Sequence, residues 1–215
     1  MPDDSQTLLD GIRAGDAAAV AAMLERSPAL ADARDENGLS AVLVACYHQR
    51  PDVRDAVLAA GPELGVLEAA AVGRLDLLRA HLSEDPDALA ERTPDGFTPL
   101  HLAAFFGGGP AVRLLLAAGA PADGDDGNPP RVRPLHSAVA AGDREAVRAL
   151  LEAGADPNVR QQGGFTPLLA AAHADDPEMT QMLLEHGADP ALAADDGRDP
   201  TAMAGERTRP LLTAR

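Results

Sequence analysis

The sequence is short of several residue types, and each shortage narrows the range of possible structures. Its 215 residues include one cysteine, no tryptophan, one tyrosine and four phenylalanines, so aromatic residues make up 2% of the chain. A lone cysteine cannot form an internal disulfide, which excludes a disulfide-stapled fold. The 46% of hydrophobic residues suffices for a continuous core. Because that core must consist of Ala, Leu and Val, closely packed helices are favoured over a large mixed sheet.

Lysine is also absent, and the 18 arginines face 34 acidic residues, which gives a formal net charge of −16. Such a chain repels nucleic acid and anionic membranes, so neither is expected as a partner. A protein with a neutral or basic surface fits better. No apolar run approaches the roughly 20 residues that span a bilayer. The acidic start, unlike a secretory signal, predicts a cytoplasmic protein.

One pattern recurs along the chain. A Pro-Leu turn that opens an apolar stretch appears as FTPLHLAA at 97–104, VRPLHSAV at 132–139 and FTPLLAAA at 165–172. Each copy is followed by a second apolar stripe that ends in Leu-Leu and then Gly-Ala. Weaker copies align without gaps, and equivalent positions recur at a spacing near 33 residues, apart from one spacing of about 24. These positions are Leu8, Val42, Val66, Leu100, Leu135, Leu168 and Thr201.

The motif T-P-L-H-x-A-A, followed by L-L-x-x-G-A and a D-x-x-G turn, resembles the ankyrin repeat over nearly the whole chain. The resemblance implies an all-α solenoid of about seven helix-turn-helix units with hairpin-like connecting turns. The residues agree with it. Thr98 and Thr166 can cap helices that begin at the following proline. Glycines suited to a left-handed residue follow each second helix.

We predict a single repeat domain over residues 1–215. The second unit is about ten residues short, so its outgoing turn should be missing or reduced, with a bend or gap in the groove. The turn at 123–130 is unusually long. The predicted units are an N-terminal cap at 4–38, a short repeat at 39–61, repeats at 62–96, 97–131 (with the long turn), 132–164 and 165–197, and a C-terminal cap at 198–215.

No residue pattern predicts catalysis, a cofactor or a metal site. The resemblance implies that His101 and His136 bridge the turns of adjacent repeats, and Cys46 falls at a small-residue position that should be buried and inert. The acidic run at 123–128 departs from a calcium loop in the position of its glycine and at Pro134. His173, Asp175 and Asp176 lack the spacing of a closed metal site. We therefore expect no enzyme.

The few aromatic residues fall at equivalent positions of the repeat. Two follow the turn glycine and three end a first helix, which places all five on the face that ankyrin-like proteins use for binding. Aromatic side chains are common anchors of interfaces, and polar residues at the same positions would form the rim. The predicted partner-binding residues are Tyr47, His48, Asp95, Phe97, Phe105, Phe106, Val132, Phe165, His173 and Arg198.

The leading hypothesis is a protein-interaction module that binds its partner through this concave face. In a second hypothesis the aromatic patch closes a homodimer. A third, a metal- or small-ligand-dependent protein, would use His173, Asp175, Asp176 or Cys46. The simplest alternative for Phe97 and Phe165 is half-packing on the neighbouring turn, and Phe105 or Phe106 could wedge between helices.

Overall fold

A computed structural model describes residues 4–124 and 128–213. In these ranges the chain is helical apart from its turns, and the extended pairing is limited to one antiparallel bridge between Arg34 and Ser40. No helix there is long and apolar enough to cross a membrane. Helices α1 to α14 span Asp4–Ala14, Ala17–Arg26, Ala41–Tyr47, Pro51–Ala59, Val66–Ala71, Leu75–Glu84, Pro99–Leu102, Gly109–Ala117, Pro134–Ala141, Arg144–Glu152, Pro167–His173, Pro177–Glu185, Pro200–Met203 and Arg209–Thr213. Shorter 3-10 turns lie at Pro28–Asp32, Pro86–Ala90 and Gln162–Gly164, and a π-helical turn lies at Ala103–Gly107.

Prolines and capping side chains set the helix starts. Thr166 accepts a hydrogen bond from the Leu169 N–H at 3.2 Å, which confirms its predicted capping role. Thr98 forms a capping box with His101, whose Nδ1 accepts the Thr98 N–H at 3.3 Å and lies 2.8 Å from the Thr98 hydroxyl. The glycines after α4, α8, α10 and α12 have positive φ angles, as predicted for left-handed closing residues.

The helices stack in two rows. Each odd-numbered helix packs on the next odd-numbered one along the whole chain, and in the other row α2 packs on α4, α6 on α8, α8 on α10 and α12 on α14. Small residues permit this close approach, since Ala69, Ala70, Ala103 and Ala138 are all buried in the first row. The expected side-by-side stacking of two-helix modules is confirmed.

The apolar interior falls into two clusters. One joins α1 to α4 through side chains such as Leu8, Val20 and Val57, and the larger one runs from α3 to Leu212 in α14. Both consist chiefly of Ala, Leu and Val, as the composition predicts. All five aromatic side chains stay half-buried.

Tight turns, here called fingers, connect most helix pairs. Each finger is closed by hydrogen bonds between residues four apart, at Asp35 and Leu39, Thr93 and Phe97, Asn128 and Val132, Gln161 and Phe165, and Ala194 and Arg198. Residues 60–65 link α4 to α5 directly, so a tight link stands where the second unit was predicted to lose its finger. The centre of the predicted long finger, 125–127, lies outside the described residues.

Candidate functional site

Two buried histidines hold adjacent repeats together. Nε2 of His101 lies 2.9 Å from the carbonyl oxygen of Val132, and Nε2 of His136 lies 3.2 Å from that of Phe165. Each carbonyl belongs to the next finger along the chain. On the other side of the ring, Nδ1 of His136 accepts the Arg133 N–H at 3.1 Å. The structural bridging role predicted for both residues is confirmed.

These contacts define the protonation state of the two rings. A carbonyl only accepts, so Nε2 must carry the hydrogen, and Nδ1 must be unprotonated to accept a backbone N–H. Burial agrees, because desolvation lowers the pKa of His136 to about 4. Both histidines are thus neutral structural ties rather than acid–base catalysts.

A largely apolar cavity of about 380 Å³ lies beside these ties, on the side of the fingers and first helices. Tyr47, Phe97, Phe105, Phe106 and Val132 all line it. Its remaining walls come from Gln49, His101, Leu102, His136, Ser137, Ala140, Gln161 and Ala170. Among the residues that the structure describes, the lining contains no Asp, Glu or Arg, so the cavity suits an apolar group. We call it the aromatic cavity.

The rings of the aromatic cavity contact one another. Phe105 and Phe106 meet edge to face with centroids 4.6 Å apart, and Tyr47 lies tilted 5.7 Å from Phe106. Phe97 packs on the His101 ring at 5.6 Å. Tyr47, Phe105 and Phe106 therefore form one connected, half-exposed cluster, and Phe97 lines the same cavity beside His101.

Phe105 and Phe106 sit on the π-helical turn Ala103–Gly107. Such turns are rare and are frequent at functional sites. The glycine equivalent to Gly107 is left-handed in three other copies, at Gly15, Gly73 and Gly142, but here the positive φ angle moves one residue on, to Gly108. The capping carboxylate is supplied by the next repeat, where Asp143 accepts the Gly109 N–H at 2.9 Å. The turn thereby widens where the two rings project.

Tyr47 and Asp95 join the two units on either side of the fingerless link. The Tyr47 hydroxyl donates to an Asp95 carboxylate oxygen at 3.2 Å, and the Thr93 hydroxyl donates to the same oxygen. Burial and the nearby Asp95 charge raise the pKa of Tyr47, which therefore stays neutral. Tyr47 ends α3, and Asp95 lies in the finger that leads into α7. This contact therefore spans the junction at which the finger is missing.

The other predicted partner-binding residues lie outside the aromatic cavity lining. Phe165 instead lies under the Arg198 guanidinium, 5.8 Å from ring centroid to Cζ, and Arg198 also pairs with Asp196 at 2.6 Å. His48 and His173 are exposed at helix ends. The single patch expected to include Phe165 is thus smaller than predicted, because Arg198 from the following finger covers that ring.

A second cavity, of about 440 Å³, lies across the phenylalanine pair. It shares Gln49, Phe105, Phe106 and Ala140 with the first, and Ala45, Cys46, Arg50, Pro51, Arg54 and Ala141 complete its walls. Sequence reasoning missed Gln49, Arg50 and Arg54. A signal was present, since the Gln49 position holds glycine in four other copies, at 15, 73, 107 and 142. We call this second space the arginine cavity.

The residues considered for metal or thiol chemistry have structural roles. Cys46 is buried, and desolvation raises the pKa of its thiol to about 11, which keeps it protonated. Asp175 accepts hydrogen bonds from Thr208, and Asp176 caps α12 while pairing with Arg144 at 2.8 Å. Among residues 4–124 and 128–213, no group of three or more His, Cys, Asp or Glu side chains could hold a metal ion.

Comparison with known protein families agrees with this architecture. The family model described as ankyrin repeats (3 copies) matches residues 66–161 and, in a second overlapping match, residues 135–209. No curated protein matches the chain. The matched region begins at α5, directly after the missing finger, and includes both histidine ties.

Proposed function

From the premise that the chain belongs to the ankyrin repeat family, we propose that it binds another protein through the aromatic cavity and its rim. Ankyrin repeats are generally protein-interaction modules and typically act as non-enzymatic scaffolds. One observation supports this site most strongly: four of the five aromatic side chains gather, half-exposed, around one cavity. Clustered aromatic anchors are characteristic of interface centres.

The proposed contact residues are those predicted from sequence, in two groups. The anchors are Tyr47, Phe97, Phe105, Phe106 and Val132. The rim comprises His48, Asp95, Phe165, His173 and Arg198, which lie at finger and helix-end positions. With a net charge of −16, encounter is fastest with a partner whose surface is neutral or basic.

The test is capture of partners by the full chain and by a Phe105→Glu/Phe106→Glu variant. A matched control, Ala18→Glu/Ala19→Glu, adds the same two charges at exposed positions in the first turn of α2, where acidic residues are favourable. We expect a protein retained by the wild type and the control to be lost, by tenfold or more, from the phenylalanine variant. Circular dichroism checks that both variants are folded.

Two outcomes would contradict the proposal. A folded phenylalanine variant that retains the same partner places the interface elsewhere. Alternatively, a molecular mass that rises with concentration in the wild type, and not in the phenylalanine variant, would show that the patch closes a homodimer.

A further inference from the structure

Two non-glycine residues adopt the left-handed conformation at the same position of two repeats. Gln49 has φ +52° and Asp175 has φ +50°, whereas the left-handed glycines Gly15, Gly73 and Gly142 occupy the equivalent positions in three other copies. A side chain with a β-carbon is disfavoured there, and such residues persist when the side chain is needed. Each of these two side chains is therefore expected to have a role.

For Asp175 the answer lies within the chain. Its carboxylate accepts the backbone N–H groups of Arg207 and Thr208 and the Thr208 hydroxyl at 3.0 to 3.4 Å, directly before α14. It thereby fastens the C-terminal helices to the array. The strain at Asp175 is offset by a structural contact.

For Gln49 no such partner exists among residues 4–124 and 128–213. Its amide makes no hydrogen bond to any residue in the described ranges, and its side chain lines both the aromatic and the arginine cavity. An amide offers two donors and an acceptor, the set that pairs with a peptide backbone. Its place between the two cavities suits a chain that lies across the phenylalanine pair.

The charge of the arginine cavity points to the chemistry of its occupant. Arg50 and Arg54 line it without any acidic side chain in the walls. Arg54 is held by Asp55 at 2.8 Å, whereas Arg50 makes no ion pair with any residue of the described part. In a chain with almost twice as many acids as arginines, this local positive charge is unusual and complements a carboxylate.

We propose that the two cavities together bind an extended segment of a partner protein that carries a bulky apolar residue close to an acidic one. The apolar side chain enters the aromatic cavity, the Gln49 amide pairs with the segment's main chain, and the carboxylate pairs with Arg50 and Arg54. This inference rests on the proposed function and specifies the partner's contact chemistry. A partner with a neutral or basic surface overall can present such a segment.

The experiment selects ligands for the full chain from a random 12-residue peptide library displayed on phage. We expect enriched peptides to pair a bulky apolar residue with Asp or Glu within about four positions. In titrations of a synthetic enriched peptide by fluorescence anisotropy, Arg50→Glu should weaken binding at least tenfold. Replacing the acid of the peptide by Lys should restore binding to that variant. Arg148→Glu, at an exposed arginine of α10 that makes no ion pair among the described residues, is the matched control.

Gln49→Gly provides a second readout. It relieves the left-handed strain and deletes the amide, so thermal stability should rise while peptide affinity falls severalfold. A merely structural Gln49 would leave affinity unchanged.

The outcomes separate this inference from the proposed function. Peptides whose binding needs Phe105 and Phe106, but which lack an acid or bind Arg50→Glu equally well, overturn the acidic-segment inference and leave the proposed function standing. Peptides indifferent to Phe105→Glu/Phe106→Glu contradict both. Failure to enrich any peptide, or a homodimer broken by the phenylalanine variant, also overturns the acidic segment as occupant.

Discussion

The junctions around His101 and His136 differ sharply from the junction between α4 and α5. At the first two, a finger and a buried histidine tie one repeat to the next through a ring nitrogen and a carbonyl oxygen. At the third the finger is missing, and Leu67 stands at the histidine position. A cavity of about 620 Å³ opens there, lined by residues that include Leu58, Leu64 and Leu77.

The difference shows what a finger contributes to this array. Fingers pair with their neighbours, as where Gln162 donates to the Pro130 carbonyl at 2.8 Å and Asp195 to that of Gly163 at 2.9 Å. Beside the fingerless junction the apolar interior consists of two clusters, which meet within α3, since Val42 and Val44 belong to one and Leu43 and Cys46 to the other. The half-buried contact between Tyr47 and Asp95 then bridges the gap. Cohesion is therefore expected to be strongest where fingers and histidines coincide.

The largest expected effect comes from breaking a histidine tie. His136→Leu leaves the Arg133 N–H without its partner. It also removes one of the two hydrogen bonds that the Phe165 carbonyl accepts, the other coming from the Gln161 N–H, so the free energy of unfolding should fall by about 3 kcal/mol in urea titrations. His81→Leu is the control at the fingerless junction, where half-buried His81 makes one bond of 2.8 Å to Leu64. It should cost less than about 1 kcal/mol. Equal losses would contradict the difference between the junctions.

Acid should weaken the same tie. The pKa of His136 is lowered from 6.5 to about 4, so below pH 6.5 the unfolded chain binds a proton that the folded chain does not. Stability contributed by the neutral ring is thus present above pH 6.5 and is lost as pH falls toward 4, by about 2 kcal/mol at pH 5. Urea midpoints at pH 7 and pH 5 measure this. His136→Leu should lose that part of the pH dependence, and an unchanged dependence would rule His136 out as its source.

Native-state hydrogen exchange can compare the two apolar clusters directly. Because α1 to α4 share their own smaller cluster, we expect their amides to exchange through an opening that leaves α8 to α10 closed. Protection should be roughly tenfold lower in α2 and α4, which corresponds to about 1.4 kcal/mol. Mass spectrometry of peptides from each helix would show it. Uniform protection along the chain would mean that the missing finger does not weaken the junction.

The smallest effect should be a gain within the finger-bearing region. Thr180 is fully buried, and its hydroxyl is the one buried side-chain polar atom without a partner in the described residues. Valine fills the equivalent positions, 112 and 147. Thr180→Val should therefore stabilise the fold by about 1 kcal/mol in urea titrations. Thr208→Val is the matched control, since that buried hydroxyl donates to Asp175 at 3.0 Å, and it should destabilise. The same sign for both would contradict this explanation.

Most of the fold could be predicted because its signals are local. Prolines at helix starts, glycines at helix ends and the 33-residue period each act within one repeat. The histidine ties also followed, since the Pro-Leu-His motif recurs in the two repeats that carry them, at 99–101 and 134–136. The π-helical turn could not be predicted, because the spacing from His101 to Gly119 equals that from His136 to Gly154 and reveals no extra turn width.

The site was predictable only in part, because side-chain directions depend on neighbouring repeats. The shared register of the rings correctly placed four of them near one another. Phe165 looked equivalent to Phe97, but Arg198 of the next finger covers it. The Tyr47 ring contacts the Phe106 ring across α5, where the small side chains of Ala70 and Ala71 leave space for the contact. This contact joins two repeats that are separated by a third, so no pattern within a single repeat predicts it.

The close approach at Gly107 fixes the place of the turn that carries Phe105 and Phe106. A β-carbon there would overlap the carbonyl oxygen of Ala70, and one at Gly73 would come within 2.7 Å of the Gly107 oxygen. Backbone therefore rests on backbone between α5 and the turn that carries Phe106. The Tyr47 and Phe106 rings, which contact each other, thus form a wall of the aromatic cavity whose position is fixed by the main chain. A partner side chain that fits this wall binds without a large entropic cost of reordering the cavity. Selectivity among partners then depends mainly on their dissociation rates.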